Sequence, residues 1–344
     1  MKKHYIKLLY SLLLASLPLL VLIILYFLTD PFKVIYSYPS YYKNNVIEIP
    51  LNRDYISTEL FLKKYKYYNY NSFAFGSSRS LAFMCKDINK YQKGNYFHFD
   101  ANGETLFGVL EKLRFLKKLN VKIDNCIIIL DSALVLQTKN SEGHTYIKHP
   151  LISNESSCTF QYTFLTTFLS NKFFIPFIFS KVNLKIPKSL EYPDIFDLRT
   201  FEYDSVNNDI IFASAEKEIA DTKESYYKKY QISAERPNNG IKRYYDRLIN
   251  EEQLKDFMEI KSIIDKNKAN IILIVYPDYN QVYFNLNDIE NLQKLFGSKN
   301  IFDYSGVNKY TNDLTNYYDL LHIRSFVGDE ILQQIFNEMK TGGS

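Results

Sequence analysis

Hydrophobic positions fall along this chain in two styles. Residues 8–28, LLYSLLLASLPLLVLIILYFL, form one charge-free apolar run behind the basic opening MKKHYIK. About 20 apolar residues suffice to span a bilayer as a helix. The run ends in aromatic residues with no small-residue cleavage site, which predicts an uncleaved signal anchor. Lys2, Lys3 and Lys7 then place the first seven residues in the cytoplasm and everything after Pro31 outside, in the periplasm or beyond the cell. A cleaved signal peptide is the alternative; it changes the anchoring but not the compartment.

Residues 29–70 are rich in Tyr, Asn and Lys with little periodicity and read as a membrane-proximal approach segment. From residue 71 short apolar runs alternate with amphipathic stretches. SFAFG (72–76), YFHFDANG (96–103), CIIILD (126–131), NIILIVYP (270–277) and IFDYSG (301–306) read as strands. SRSLAFMCKDINKY (78–91) reads as a helix, and so does 104–120, with Leu106, Leu110, Leu113 and Leu116 at helical spacing. Further helices are expected over 242–268, 285–297 and 324–340. Strands that alternate with helices predict an α/β fold: a parallel sheet with helices on both faces, a flavodoxin-like three-layer sandwich over 71–340. The rhythm breaks over about 132–240, an irregular aromatic insertion. Within it, 164–184 is apolar but interrupted by Asn171, Lys172 and Pro176. A helical lid or membrane-facing patch is expected there, with a second membrane span as the alternative.

Composition adds little. The chain has 344 residues, 46% of them apolar, so a substantial core is affordable without invoking disorder. Net charge is +4; removing Lys2, Lys3 and Lys7 from the 42 basic residues leaves 39 against 38 acidic ones. That balance supplies no basic face for nucleic acid. Cys85, Cys126 and Cys158 form no ligand spacing for zinc, and the sequence leaves open whether any two are bridged. His144 and His149, in GHTYIKH, read as loop histidines rather than metal ligands. Asp278, in YPDY, either caps a turn or shapes a pocket.

In a parallel sheet, ligands bind outside the carboxyl ends of the strands. Gly76-Ser77-Ser78-Arg79 closes the first strand, Asn102-Gly103 the second and Asp131-Ser132 the third. A serine nucleophile needs a base, an orienting carboxylate and donors for the oxyanion. Ser77 and Ser78 sit on a strand-to-helix turn, where Ser77 alternatively serves as a helix N-cap. Among the five histidines only His322 has an acid three residues before it, Asp319.

Gly76-Ser77-Ser78 followed by a distant Asp319-x-x-His322 resembles the first and last blocks of the SGNH/GDSL hydrolase superfamily. The Gly-Ser-Ser-Arg form and the anchor resemble exported proteins that esterify cell-surface polymers, such as polysaccharide O-acetyltransferases of the alginate type and the D-alanine-transfer protein of teichoic acid. The resemblance covers about 70–135 and 240–340. It implies Ser78 as nucleophile, His322 as base and Asp319 as its orienter, with the N–H groups of Ser78 and Gly103 forming the oxyanion hole. The family's third block carries Asn in Gly-x-Asn-Asp; here Leu130-Asp131-Ser132 stands in its place. Either Ser132 or Asn102 replaces that donor, or the hole is weaker, or the blocks slip in register. Arg79 and Asp131 are the expected substrate contacts. The implied activity is O-acylation of a surface glycan through an acyl-serine, alongside a multi-spanning membrane O-acyltransferase, with no metal or organic cofactor required. An esterase using the same residues, or a silent membrane-anchored scaffold, are the alternatives.

Overall fold

The computed structural model describes residues 2–42, 46–47, 49–182, 199–230, 232 and 241–341. They fall into two compact units, one from Met1–Leu51 and Glu155–Leu198, the other from Asn52–Asn154 and Arg199–Ser344.

The second unit is α/β. Its sheet has five parallel strands: β1 Ser72–Phe75, β2 Tyr96–His98, β3 Asn125–Leu130, β4 Asn270–Val275 and β5 Ile301–Asp303, in the order β2-β1-β3-β4-β5. All residues of β1, β2 and β3 are buried, as expected when helices cover both faces. Phe73 and Phe75 point to one face, where Phe61 of the Arg53–Tyr68 helix stacks among Phe73, Phe97 and Phe99. Ala74, Ile127, Ile129, Ile272 and Ile274 point to the other, against Val327, Ile331 and Ile335 of the Ser325–Thr341 helix. The period-2 alternation of a strand thus serves two apolar layers at once.

Several expected boundaries shift. The Arg53–Tyr68 helix lies inside the α/β unit, whose boundary falls at Asn52 rather than residue 71. Its pattern is hidden because Arg53, Asp54, Ser57 and Thr58 share the buried face with Ile56, Leu60 and Phe61. Asn52 caps its start by accepting the Tyr55 N–H at 2.8 Å. The stretch 78–91 is not one helix. A 3-10 turn over Ser78–Ala82 stops at Phe83, and an α-helix resumes over Cys85–Tyr91. The helix expected over 242–268 begins only at Glu251, where Asn250 and Gln253 form a capping box.

The insertion is not one element either. Residues 132–154 and 199–232 belong to the α/β unit, 155–182 to the other; 183–198, 231 and 233–240 lie outside the described residues. In the α/β unit a hairpin of Glu202–Asp204 and Asp209–Ile211 covers the free edge of β2: Asn207 O accepts the His98 N–H at 2.8 Å and Asn208 Nδ2 donates to His98 O at 2.7 Å.

The other unit holds the Lys2–Thr29 helix and the helices Ser157–Leu169 and Asn171–Lys181. Among the described residues, His4–Thr29 is the one helix long and apolar enough to cross a membrane. The apolar stretch 164–184 is broken at Ser170, which ends one helix and starts the next; its last two residues lie outside the described ones. Both helices bury phenylalanines around the end of the first: Phe168 lies 5.4 Å from Tyr26, and Phe164 and Phe173 lie 5.4 and 4.6 Å from Phe32. Cys85, Cys126 and Cys158 are free thiols, the first two buried.

Candidate active site

Ladder hydrogen bonds run past the ends of β1 and β2. Phe99 N donates to Ala74 O at 2.8 Å and Ala101 N to Gly76 O at 3.3 Å. The Asn102-Gly103 turn is therefore carried alongside the Ser77-Ser78 turn at the carboxyl edge of the sheet. Tyr276 N donates to Leu130 O at 2.9 Å, which brings the ends of β3 and β4 to the same edge.

At this edge Ser78, Asp319 and His322 come together. Ser78 Oγ lies 2.8 Å from His322 Nε2, and His322 Nδ1 lies 2.9 Å from both oxygens of Asp319. The carboxylate fixes the tautomer: Nδ1 carries the proton, so Nε2 accepts from the Ser78 hydroxyl. Burial alone would raise the Asp319 carboxyl. The hydrogen bond and charge of His322, with the N–H groups of Leu321 and His322, outweigh it and hold Asp319 below the ordinary carboxylate value. Those N–H groups reach Asp319 Oδ1 at 2.7 and 3.0 Å, so the same carboxylate that meets the imidazole also shapes the loop that carries His322.

Tyr276 holds that loop from beneath. Its hydroxyl donates to Leu321 O at 2.9 Å and accepts from Ile323 N at 2.7 Å, one bond on each side of His322. Burial pushes the phenol well above its ordinary value, so it stays a neutral group able to do both. The sequence pattern did not disclose this residue; a tyrosine directly after a buried strand, at the sheet edge that binds ligands, is the available signal.

The two serines separate cleanly. Ser77, 3% exposed, donates its hydroxyl to Asp131 Oδ2 at 2.7 Å and accepts the Arg79 N–H at 3.3 Å. Ser78 is less buried and faces the imidazole. Gly76 permits this crowding: a Cβ there would stand 2.7 Å from Ser80 Cβ. Asp131, expected as a substrate contact, is buried and engaged by Ser77 and by Leu134 N at 3.0 Å. Arg79 Nη1 lies 3.4 Å from Asp131 Oδ1, the guanidinium lies over the Tyr276 ring at 5.7 Å, and its Nε is buried without a hydrogen-bond partner among the described residues. Ser132 starts a short helix and hydrogen-bonds Tyr245. Both line a narrow cleft with Asp131, Tyr276, Asp278 and Ser305. Tyr245 donates to Asp278 Oδ2 at 3.3 Å, which places Asp278 on the cleft wall. Gly103 has φ +51°, a left-handed conformation suited to glycine, in the turn it shares with Asn102.

Behind that turn lies a fully buried ionic cluster that the sequence did not announce. Lys112 Nζ is 3.0 Å from Asp54 and pairs with Glu104; Lys148 Nζ is 2.6 Å from Glu104. Lys112 also donates to the carbonyls of Phe99 and Asp100, both at 3.2 Å. Burial would raise the Asp54 carboxyl, but Lys112 and Lys148 outweigh it and hold it below the ordinary value. Two ammonium groups and two carboxylates cancel, which is what burial of four charges demands. His149, a loop histidine by sequence, sits 3.3 Å from Glu59 through Nε2 and accepts Leu151 N at 3.0 Å through Nδ1.

No family model matches the chain, and no curated protein matches it.

Proposed function

We propose that the α/β unit is a serine acyl-transfer domain of SGNH type, and that this chain O-acylates, most simply O-acetylates, a hydroxyl of a cell-surface glycan. The observation that carries the proposal is the continuous Ser78–His322–Asp319 hydrogen-bond relay on the carboxyl edge of a β2-β1-β3-β4-β5 parallel sheet. The strand order is the flavodoxin-like one, with the nucleophile turn at the β1/β3 switch point.

In the proposed reaction, His322 Nε2 takes the Ser78 proton as Oγ attacks the acyl carbonyl. The N–H groups of Ser78 and Gly103 receive the developing oxyanion, and Asn102 or Ser132 is the side-chain candidate beside them. Collapse breaks the acyl–donor bond, and His322 returns the proton to the leaving group. An acceptor hydroxyl, deprotonated in turn by His322, then attacks acyl-Ser78; the serine is restored as the new ester forms. The cleft lined by Tyr245, Tyr276 and Asp278 shares Tyr276 with the loop that carries His322, and its aromatic faces, hydroxyls and carboxylate suit a sugar hydroxyl. The apolar His4–Thr29 helix supports a membrane-anchored protein with its catalytic unit outside the cell membrane, served by a multi-spanning membrane O-acyltransferase as acyl source.

The test uses the full chain in detergent, an activated acetyl ester and intact-protein mass spectrometry. An acetyl adduct retained in Ser77→Ala but lost in Ser78→Ala and His322→Ala is the expected result. Transfer of the adduct to added glycan, rather than to water, separates transferase from esterase. A folded wild-type protein that acquires no adduct from the ester or from membranes carrying the acyltransferase would sink the proposal in favour of a scaffold.

A further inference from the structure

His98 lies at the end of a strand whose residues are all buried, where an imidazole needs a partner for each ring nitrogen. Both partners are present. Nε2 is 2.8 Å from Ser80 Oγ and Nδ1 is 3.1 Å from Asp209 Oδ1. Asp209 comes from the insertion hairpin and also accepts the N–H groups of Cys85 and Lys86 at 3.1 and 3.3 Å. It thereby caps the Cys85–Tyr91 helix, whose own N-cap residue, Met84, makes no side-chain cap. His98 and Ser80 are fully buried and Asp209 is 2% exposed, so no substrate reaches this second Ser-His-Asp set.

Its far end is the nucleophile turn. Ser80 Oγ donates to Ser77 O at 2.7 Å, and Ser80 N donates to the same oxygen at 2.8 Å. A carbonyl only accepts, so the single Ser80 hydroxyl proton goes to Ser77 O and His98 Nε2 donates to Ser80; the Asp209 carboxylate also only accepts, so Nδ1 donates to it and the ring carries a proton on each nitrogen, paired with Asp209. This is the reverse of His322, whose Nε2 accepts from Ser78. Ser77 O and Ser78 N–H are the two ends of one planar trans peptide. Whatever fixes the direction of that carbonyl fixes the direction of the Ser78 N–H.

We propose that His98 is a positioning residue of the acyl-transfer centre: through Ser80 it locks the Ser77–Ser78 peptide and aims the Ser78 N–H at the oxyanion. The proposal rests on Ser78 being the nucleophile. A metal is the rival use of this cluster, because ligand atoms of Cys85, His98 and Asp209 lie within 4.8 Å of one another. Hydrogen bonding alone accounts for their placement: Asp209 is occupied by two backbone N–H groups and the imidazole, and His98 is engaged at both nitrogens.

The experiment measures hydrolysis of an activated acetyl ester by the full chain in detergent, for wild type, Ser78→Ala, Ser80→Ala, His98→Leu and His98→Gln. Ser80→Ala keeps the backbone Ser80 N–H on Ser77 O, so the turn retains one of its two bonds. Expected is a fall in kcat of about 100-fold in Ser80→Ala and His98→Leu, the order produced by loss of one oxyanion donor, with KM changed little. His98→Gln, which can still donate to Ser80, recovers most of the rate. Wild-type kcat in Ser80→Ala and His98→Leu, with Ser78→Ala inactive, overturns the inference and leaves the nucleophile standing. Wild-type turnover no greater than that of Ser78→Ala removes both. A crystal structure of Ser80→Ala reads the same point without turnover: an unmoved Ser77 carbonyl overturns the lock.

Discussion

Replacing Tyr276 with Phe removes one oxygen and keeps the ring. The residue is 3% exposed, and the ring's contact with Arg79 survives the change. Two hydrogen bonds are lost, to Leu321 O and from Ile323 N. Leu321 is exposed, so water can replace the first. Ile323 is 2% exposed, so its N–H is stranded, at a cost of about 1–3 kcal/mol. The stability loss is therefore modest and shows as a fall of a few degrees in Tm. The effect on chemistry is larger in proportion. His322 sits between the two lost bonds, and its 2.8 Å contact with Ser78 needs the imidazole in place. A displacement near 1 Å at a reacting group costs on the order of 100-fold. The rate of Ser78 labelling by a fluorophosphonate is expected to fall by about 10- to 100-fold, well beyond the stability change. Labelling at the wild-type rate in a variant whose Tm has dropped would refute the reasoning. Asp319 and the Tyr318–His322 backbone bond would then be sufficient to hold the base.

Three further outcomes follow from the same geometry. Lys112→Met leaves Asp54 and Glu104 buried with one ammonium between them, and is expected to cost about 3–5 kcal/mol in chemical denaturation; a loss below about 1 kcal/mol would show that the cluster does not depend on Lys112. Gly328→Ala drives a Cβ into the carbonyl of Ala82, so the Ser325–Thr341 helix or the Ser78–Ala82 turn must move, lowering stability by about 1–3 kcal/mol and slowing Ser78 labelling; an unchanged melt and labelling rate would contradict this. Because the folded Asp319 carboxyl lies below its ordinary 3.8, its contribution to stability is complete above that pH and is lost as pH falls through the lowered value; the stability gap between wild type and Asp319→Asn should close on acidification below about pH 4, and a gap independent of pH from neutrality to pH 2 would exclude the ionised pair.

The sheet was legible because its strands are apolar on both faces and so need no phase to be seen. CIIILD and NIILIVYP could be little else, and strand-end position then brought Ser78, Asp131 and Gly103 to one edge. Asp319-x-x-His322 was legible because one short loop joins acid to base. The Arg53–Tyr68 helix was not legible, because half of its buried face is polar: Arg53 and Asp54 are interior only by virtue of Asp100, Lys112 and Lys148, partners that lie 47 to 94 residues away in sequence. The same reason hid Ser80, His98 and Asp209. Periodicity records what is apolar, and these residues are held by pairing across the chain. YFHFD did carry a clue, since a histidine at the end of a strand buried throughout implies a partner, but nothing local named it.

Under the proposed acyl transfer, two neighbouring serines are needed at this turn because a nucleophile must be both fixed and free. Fixing a hydroxyl through its own hydrogen bonds would spend the proton that the base has to take. The turn instead fixes the peptide before it. Ser77 is gripped by Asp131 at its hydroxyl and by Ser80 at its carbonyl, both in the interior. Ser78 then inherits a set direction through the backbone while its Oγ, among the described residues, meets His322. The polarity of the two histidines divides the work accordingly. At His98 the ring donates to a serine that passes its proton on to a carbonyl, which makes a brace. At His322 the ring accepts from a serine with no other acceptor among the described residues, which suits it to the proposed role of base.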